Sequence, residues 1–403
     1  MNSQPLVHRL NRRLLLSRSA AVVGASSMGL LLPQIVRAQS NKVRVGFMLP
    51  YTGAYAQLGV AIENAVRMAI AEKGGKLGGR EIEWFKVDDE SEPSKGVENA
   101  QKLVQRDKVD VLIGTVHSGV QMGIQRVARE SGVLSIIPNA GLHAATRGLC
   151  APNVFRTSFT NAQPTSALGK PMMDRGLKRA VWITHKYAAG DEAFEGFRDS
   201  YTKAGGTIVK ELGLPFPGVE FQALLTEIAS LKPDAVACFF AGSAASKFMR
   251  DYAAAGLQGK IPLWGSGFLT EGVLQATGAA AEGVMSTLHY ADSLDTPRNQ
   301  QFRSAFAQQF KMQPDVYAVQ GYDAGQLLIR SLDAVKGDMS NKAAMYKAME
   351  TAVIDSPRGR WTMSKAHNPV QDMYLRVVEK GDNKVVGVAQ KAVADSAAGC
   401  KMG

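Results

Sequence analysis

Ser118 closes a short connection after the apolar run Val109–Gly114 and opens a segment of helical spacing, Ser118–Glu130. A serine at a helix start caps it with its hydroxyl and leaves backbone N–H groups pointing outward. Those groups and the helix dipole suit a carboxylate. A plain cap facing solvent needs the same residue, so the serine alone leaves both roles open. Asn139, Ala140 and Gly141 follow the next apolar run, Leu134–Pro138. His117, His185 and His289 each end a predicted strand, where an imidazole serves a ligand or a satisfied structural contact. Tyr51, Tyr55 and Tyr290 could stack on a flat ligand or pack at a cleft rim. Trp264 and Phe268 fit a core equally well.

Signatures of catalysis are missing. The chain has no G-x-S-x-G elbow, no G-x-G-x-x-G after its first strand, no P-loop and no H-E-x-x-H. No Cys/His spacing suggests zinc, and no cofactor is expected.

The elements that must position these residues alternate. Val43–Leu49 is a nearly continuous apolar run, which reads as a buried strand. Ala56–Glu72 has helical spacing and ends at Gly74-Gly75. Strand Ile82–Val87, helix Pro93–Arg106, strand Val109–Gly114, helix Ser118–Glu130 and strand Leu134–Pro138 follow. After Arg156 the alternation restarts with helix Thr160–Arg175 and strand Ala180–Thr184. Helix Glu192–Ala204, strand Ile208–Leu212, helix Phe221–Leu231 and strand Ala235–Phe240 come next. Helix Ala244–Ala255 and strands Ile261–Trp264 and Gly283–Tyr290 complete the second series. The last hundred residues supply helices Pro297–Phe310 and Val316–Val335, then short strands near Arg360–Met363, Met373–Glu379 and Val385–Ala389. The fold class is α/β, with two doubly wound parallel sheets and a cleft at the carboxyl ends of their strands.

The first residues stand apart. Residues 1–38 carry Arg9, Arg12, Arg13, Arg18 and Arg37 and no acid, around a mainly apolar stretch that ends in Val36-Arg37-Ala38. That is the layout of a secretory signal peptide. Arg12-Arg13 before three leucines suggests the twin-arginine route, though Asn11 departs from that pattern and leaves the general secretory route open. Cleavage after Ala38 leaves 365 residues, enough for two cores. The whole chain is +11, and losing those five arginines leaves about +6. The remaining bases are scattered among acids, so nucleic acid is not expected as a partner. Cys238 lies in the apolar run Ala235–Ala241 and reads as an inert buried thiol. Cys150 and Cys400 could pair in an oxidising compartment, unless Cys400 is a mobile tail thiol.

In order along the chain stand Val45-Gly46-Phe47-Met48-Leu49-Pro50-Tyr51-Thr52-Gly53, Ala56-Gln57-Leu58-Gly59, Asp88-Asp89, Ile113-Gly114 and Ser118. Ile137-Pro138-Asn139-Ala140, Phe155-Arg156-Thr157 and Pro233-Asp234-Ala235-Val236 follow. This series resembles the periplasmic branched-chain amino-acid-binding proteins, the leucine/isoleucine/valine receptors of ABC importers, over essentially the whole chain after residue 40. The resemblance implies a type I binding protein of two lobes joined by three crossovers, closing on a ligand. It implies lobe 1 over 41–158 and 289–351, and lobe 2 over 159–288 and 352–403. It places Ser118 at the family's carboxylate-binding serine. Asn139, Ala140 and Gly141 fall on a segment that lends backbone groups to the ligand, with Gly141 where a threonine is common. Ala189 falls where an aromatic is usual, with Tyr187 near enough to substitute. Gly267 stands where amino-acid binders carry the acid that pairs with the ligand ammonium. His117, Tyr51 and Phe268 complete the expected ligand-binding set. A C-terminal tail folded on lobe 2 could bring Cys400 to Cys150 near the hinge.

A buried ammonium without a carboxylate partner is costly. The expected ligand is therefore a small carboxylate, an aromatic or oxo acid lacking an α-ammonium, with an amino-acid-like ligand as the alternative. The expected partners are that ligand and the permease subunits of an importer in the inner membrane. The expected protein is a periplasmic monomer without enzymatic activity. A periplasmic sensor domain is the main alternative, and an α/β enzyme a further one.

Overall fold

The structure, a computed structural model, describes residues 42–402. The signal segment and its twin arginines lie outside the described residues. No helix among the described residues is long and apolar enough to cross a membrane.

The first sheet has five parallel strands in the order β2-β1-β3-β4-β5. These are β1 (Lys42–Leu49), β2 (Glu81–Asp88), β3 (Val111–Gly114), β4 (Leu134–Ile137) and β5 (Val154–Arg156). Central strands β3 and β4 are buried at every position. That is why they read as nearly continuous apolar runs, broken in β4 only by the buried Ser135, rather than as alternations. Helices α1 (Ala56–Ala71), α2 (Gly96–Gln101), α3 (Ser118–Ser131) and the short α4 (His143–Thr146) connect them.

The chain then leaves for the second sheet through residues 157–161. Short helices α5 (Ala162–Ser166) and α6 (Gly169–Met173) lead to β6 (Arg179–Lys186), α7 (Ala188–Lys203), β7 (Thr207–Pro215) and α8 (Gln222–Leu231). Strand β8 (Ala235–Phe239), α9 (Gly242–Ala254), β9 (Leu263–Ser266), α10 (Leu274–Thr277) and β10 (Met285–Leu288) follow. A second passage, 289–296, returns the chain to the first layer for α11 (Pro297–Phe310), α12 (Val316–Ala334) and α13 (Lys342–Glu350). A third passage ends in β11 (Thr362–Met363), β12 (Pro369–Glu379) and β13 (Asp382–Val393), which extend the second sheet. Its order is β11-β12-β10-β9-β8-β6-β7, with β13 on β12. Strands β6 to β10 run parallel; β12 is antiparallel to its neighbours.

Helix α12 covers the first sheet by lying tightly on α1. A Cβ at Gly321 would stand 2.4 Å from the Ile62 carbonyl oxygen, so only glycine lets the two backbones meet.

Several elements differ from the sequence reading. The stretch expected as one helix from Thr160 divides at Ala167–Leu168. Pro171 has no N–H to continue the ladder, and Leu168 bonds back only three residues, to the Thr165 carbonyl. The helix expected at Glu192 begins four residues earlier, directly after Tyr187. Residues 102–106 widen into a π-helical turn. Strand β9 lies two residues beyond its expected place. Helix α13, unforeseen, is capped by Asn341, whose side chain accepts from the Ala344 N–H at 3.3 Å. The last two strands pair over eleven and twelve residues, longer than the short strands expected.

Cys150, between α4 and β5, is disulfide-bonded to Cys400 in the C-terminal tail, and Cys238 is free and buried on β8. The same tail is anchored by Asp395, which accepts from the Arg147 guanidinium at 2.8 Å and from the Thr160 hydroxyl at 3.1 Å.

Candidate functional site

A small cavity of about 20 Å³ lies where the carboxyl ends of both parallel sheets converge. From the first sheet come Val116 and Ser118 after β3, and Asn139 and Gly141 after β4. From the second come Tyr187 and Ala189 after β6, Phe239 and Ala241 at β8, and Phe268 after β9. Phe159 and Asn161 enter from the first crossover, and Tyr317 from the opening turn of α12. Tyr55 and Leu58 complete the wall. No acidic side chain among the described residues lines it.

One wall is polar. The Ser118 hydroxyl accepts a hydrogen bond from the Asn161 amide nitrogen at 3.2 Å. Ser118 does not cap its helix, contrary to the sequence reading. His117 is the cap residue, and its Nδ1 accepts from the Gly119 N–H at 3.1 Å. The serine hydroxyl is thereby released from capping. Asn139 donates its amide to Gln320 at 2.7 Å, and its carbonyl accepts from the Ser158 hydroxyl. Gly141 has no space for the threonine common in the resemblance. A Cβ there would stand 2.3 Å from the Asn161 amide oxygen. The Asn161 backbone N–H bonds the Gly141 carbonyl at 2.9 Å, so the two residues are packed as a unit.

The other wall is aromatic. Phe159 and Phe268 lie 4.5 Å apart between ring centroids, and Phe268 also contacts Phe239 and Tyr317. Tyr187 donates to or accepts from Tyr55 across the cleft, hydroxyl to hydroxyl, at 3.0 Å. The Tyr317 hydroxyl is buried and has no hydrogen-bond partner in the protein. Such an orphan costs free energy unless something in the cavity meets it.

Four expected site residues are not in the cavity wall. His117 sits behind Tyr187, 5.0 Å between ring centroids, and burial lowers its pKa to about 4, so it is neutral. The Ala140 N–H is spent on the Thr115 carbonyl at 2.9 Å, so that backbone donor is not offered to a ligand. Tyr51 lies under the Lys86 ammonium, 3.5 Å from its ring centre, with its N–H on Asp88. Gly267 is covered by Arg376, whose Nη2 donates to the Gly267 carbonyl at 2.9 Å. A Cβ on Gly267 would stand 2.4 Å from that same nitrogen. No acid fits at this position while Arg376 holds its place.

The nearby acids are engaged elsewhere. Glu271 is ion-paired with Arg376, and its other oxygen accepts the Val316 N–H at 2.9 Å, at the start of α12. Glu192 on α7 accepts from Asn161 at 2.7 Å and from the His143 N–H at 3.0 Å. Burial raises the Glu192 pKa to about 7, against the pull of these hydrogen bonds. His143 is lowered to about 3 by burial and by Arg147, and its Nε2 accepts from the Ala162 N–H.

Phe159, Asn161 and Tyr317 escaped the sequence reading. They come from a distant helix and from a crossover just past Phe155-Arg156-Thr157, and that segment marks the crossover without pointing to either side chain. The orphan hydroxyl of Tyr317 needs a structure to be seen. The described residues contain no cluster of His, Cys, Asp or Glu able to hold a metal ion.

Residues 42–383 match a family model described as periplasmic binding protein. An ABC-transporter solute-binding protein from R. palustris, crystallised with benzoate, is 52% identical at a TM-score of 0.87, over 89% of this chain and 99% of that one. Another from Rhodopseudomonas palustris BisB5, in complex with 3,4-dihydroxybenzoic acid, is 30% identical at a TM-score of 0.84, over 88% and 99%. A Leu/Ile/Val-binding protein homolog 6 from Brucella abortus is 29% identical over 86% of this chain and 90% of its own length. The chain belongs to the periplasmic binding protein family, among the solute-binding proteins of ABC transporters.

Proposed function

We propose that this chain captures a small aromatic monocarboxylate, benzoate or a hydroxybenzoate, in the periplasm and delivers it to an importer's permease subunits. The observation that carries this reading is the division of the cavity into two walls. The Ser118 hydroxyl and the start of α3 suit a carboxylate, with the Asn161 amide bonded to the serine oxygen. Phe159, Phe239, Phe268 and Tyr187 supply ring faces and edges. An ammonium would find no carboxylate there, because Gly267 lies under Arg376 and the oxygens of Glu271 and Glu192 are already bonded. The structural relatives that hold benzoate and 3,4-dihydroxybenzoic acid support the same ligand class.

Residues 1–38 are read as the export signal, and the working form as a monomer. Residues 41–158 with 289–351 form one lobe, 159–288 with 352–403 the other, and both close on the ligand. Calorimetric titration of the exported protein tests the ligand class. Benzoate, 3- and 4-hydroxybenzoate and phenylpyruvate are compared with leucine and phenylalanine. Binding of the aryl acids without the amino acids is expected. Binding of leucine alone would overturn the reading.

A further inference from the structure

In the polar wall of the cavity, one hydrogen-bond direction is fixed. Asn161 turns its amide nitrogen toward two acceptors. One hydrogen goes to Glu192 Oε2 at 2.7 Å, the other to Ser118 Oγ at 3.2 Å. Above about pH 7 Glu192 is ionised and only accepts, so it then dictates which end of the amide faces it. Glu192 is itself held by the His143 N–H, which both of its oxygens reach, at 3.0 and 3.1 Å. The amide oxygen of Asn161 points to Gly141, and only a residue without a side chain leaves room for it.

We propose that Asn161, oriented by Glu192, is a positioning residue that makes the Ser118 hydroxyl a hydrogen-bond donor to the ligand carboxylate. A serine oxygen that already accepts from Asn161 must send its own hydrogen elsewhere, and the cavity is the side left open to it. The charge on Glu192 is screened from the ligand by the amide between them. The glycine at 141 is then linked to specificity: it gives up a hydroxyl and admits an amide that polarises the serine. This inference deepens the aromatic-carboxylate reading and rests on it.

A charge swap tests it with benzoate as the probe. Asn161→Asp places an acceptor against Glu192 and against Ser118, and lowers both melting temperature and affinity, the latter by about 30-fold or more. Adding Glu192→Gln restores the pairing with its direction reversed, because the new amide donates to the carboxylate now at position 161 while its oxygen still accepts from His143. The double variant should regain its melting temperature, and affinity should stay low. Repulsion between the carboxylate at 161 and the ligand would also lower affinity, so Ser118→Ala is placed in both backgrounds. It should cost about 10-fold or more in the native background and no more than about 2-fold in the swap, where the serine hydroxyl already donates to the introduced carboxylate. Equal costs of Ser118→Ala in both backgrounds, or recovery of affinity in the swap, would overturn the inference while leaving the ligand reading intact. Failure of the unmodified protein to bind benzoate would remove the reading and this inference together.

Discussion

At the scale of single residues, the unsatisfied phenol of Tyr317 is the sharpest feature of the cavity. Its hydroxyl is buried without a protein partner and belongs to a side chain that lines the cavity. Tyr317→Phe should leave the melting temperature of the empty protein unchanged or higher. It should weaken the aryl acid by about 5-fold if the ligand satisfies that hydroxyl, roughly 1 kcal/mol for a neutral hydrogen bond. Thermal melting and titration of the same preparation decide this, and unchanged affinity would show that the phenol faces no ligand atom. Single residues also show where sequence reasoning reached its limit. Ser118, Asn139, Gly141, Tyr187 and Phe268 all follow strand ends, and a parallel sheet gathers strand ends at one rim. Asn161 and Tyr317 reach the same cavity from a crossover and from a helix far along the chain. Nothing in their local sequence records that distance. Tyr51 follows a strand end too, yet its ring packs under the Lys86 ammonium with its hydroxyl buried, and it does not reach the cavity.

At the scale of elements, strand–helix alternation was legible because buried parallel strands are apolar throughout. Boundaries were less so. Helix α7 starts at Ala188 rather than Glu192, so Ala189 belongs to a helical turn that presses on the cavity and not to a loop. The sequence shows Ala188-Ala189-Gly190 there, small residues with no capping signal. One contact joins elements from both layers. Glu271, in the connection after β9, pairs with Arg376 on β12 and accepts the first N–H of α12. Both ionic side chains are buried. Glu271→Ala leaves the Arg376 guanidinium without its carboxylate and the Val316 N–H without its acceptor, while Asp315 still caps the next two N–H groups of α12. A loss of about 3–5 kcal/mol is expected, as for other buried pairs broken on one side. Urea unfolding monitored by circular dichroism measures it, and a loss below about 1 kcal/mol would show the pair to be dispensable.

At the scale of the whole molecule, buried titratable groups set a pH dependence with two opposed parts. Burial raises Asp89 and Asp323 to about 6, and Glu192, Asp292 and Asp315 to about 7. These acids hold protons more firmly folded than unfolded, so their contribution to stability falls as pH rises from about 4 through 7. His117, His143, His185, His289 and His367 are all lowered, by burial first. They bind protons less readily folded than unfolded, so their contribution is lost as pH falls below about 6.5. The two slopes oppose each other between about 4.5 and 6.5, and above 6.5 only the acids remain. The melting temperature should therefore peak near pH 6 and decline toward pH 8. A scan that rose continuously from pH 6 to pH 8 would contradict this. Replacing Glu192 by Gln should flatten the alkaline side of that curve.

The bond between Cys150 and Cys400 encloses the second layer and all three passages between the sheets, with a separation of 250 residues. A protease that nicks any exposed loop inside that span produces two peptides but not two molecules. The pieces stay attached at the tail, where Asp395 also grips Arg147 and Thr160. Damage that would release a fragment from a chain without this bond leaves here a molecule of unchanged size, whose break shows only under a reducing agent. The tail thus acts as a retaining clasp that gives a cut chain the chance to keep its shape.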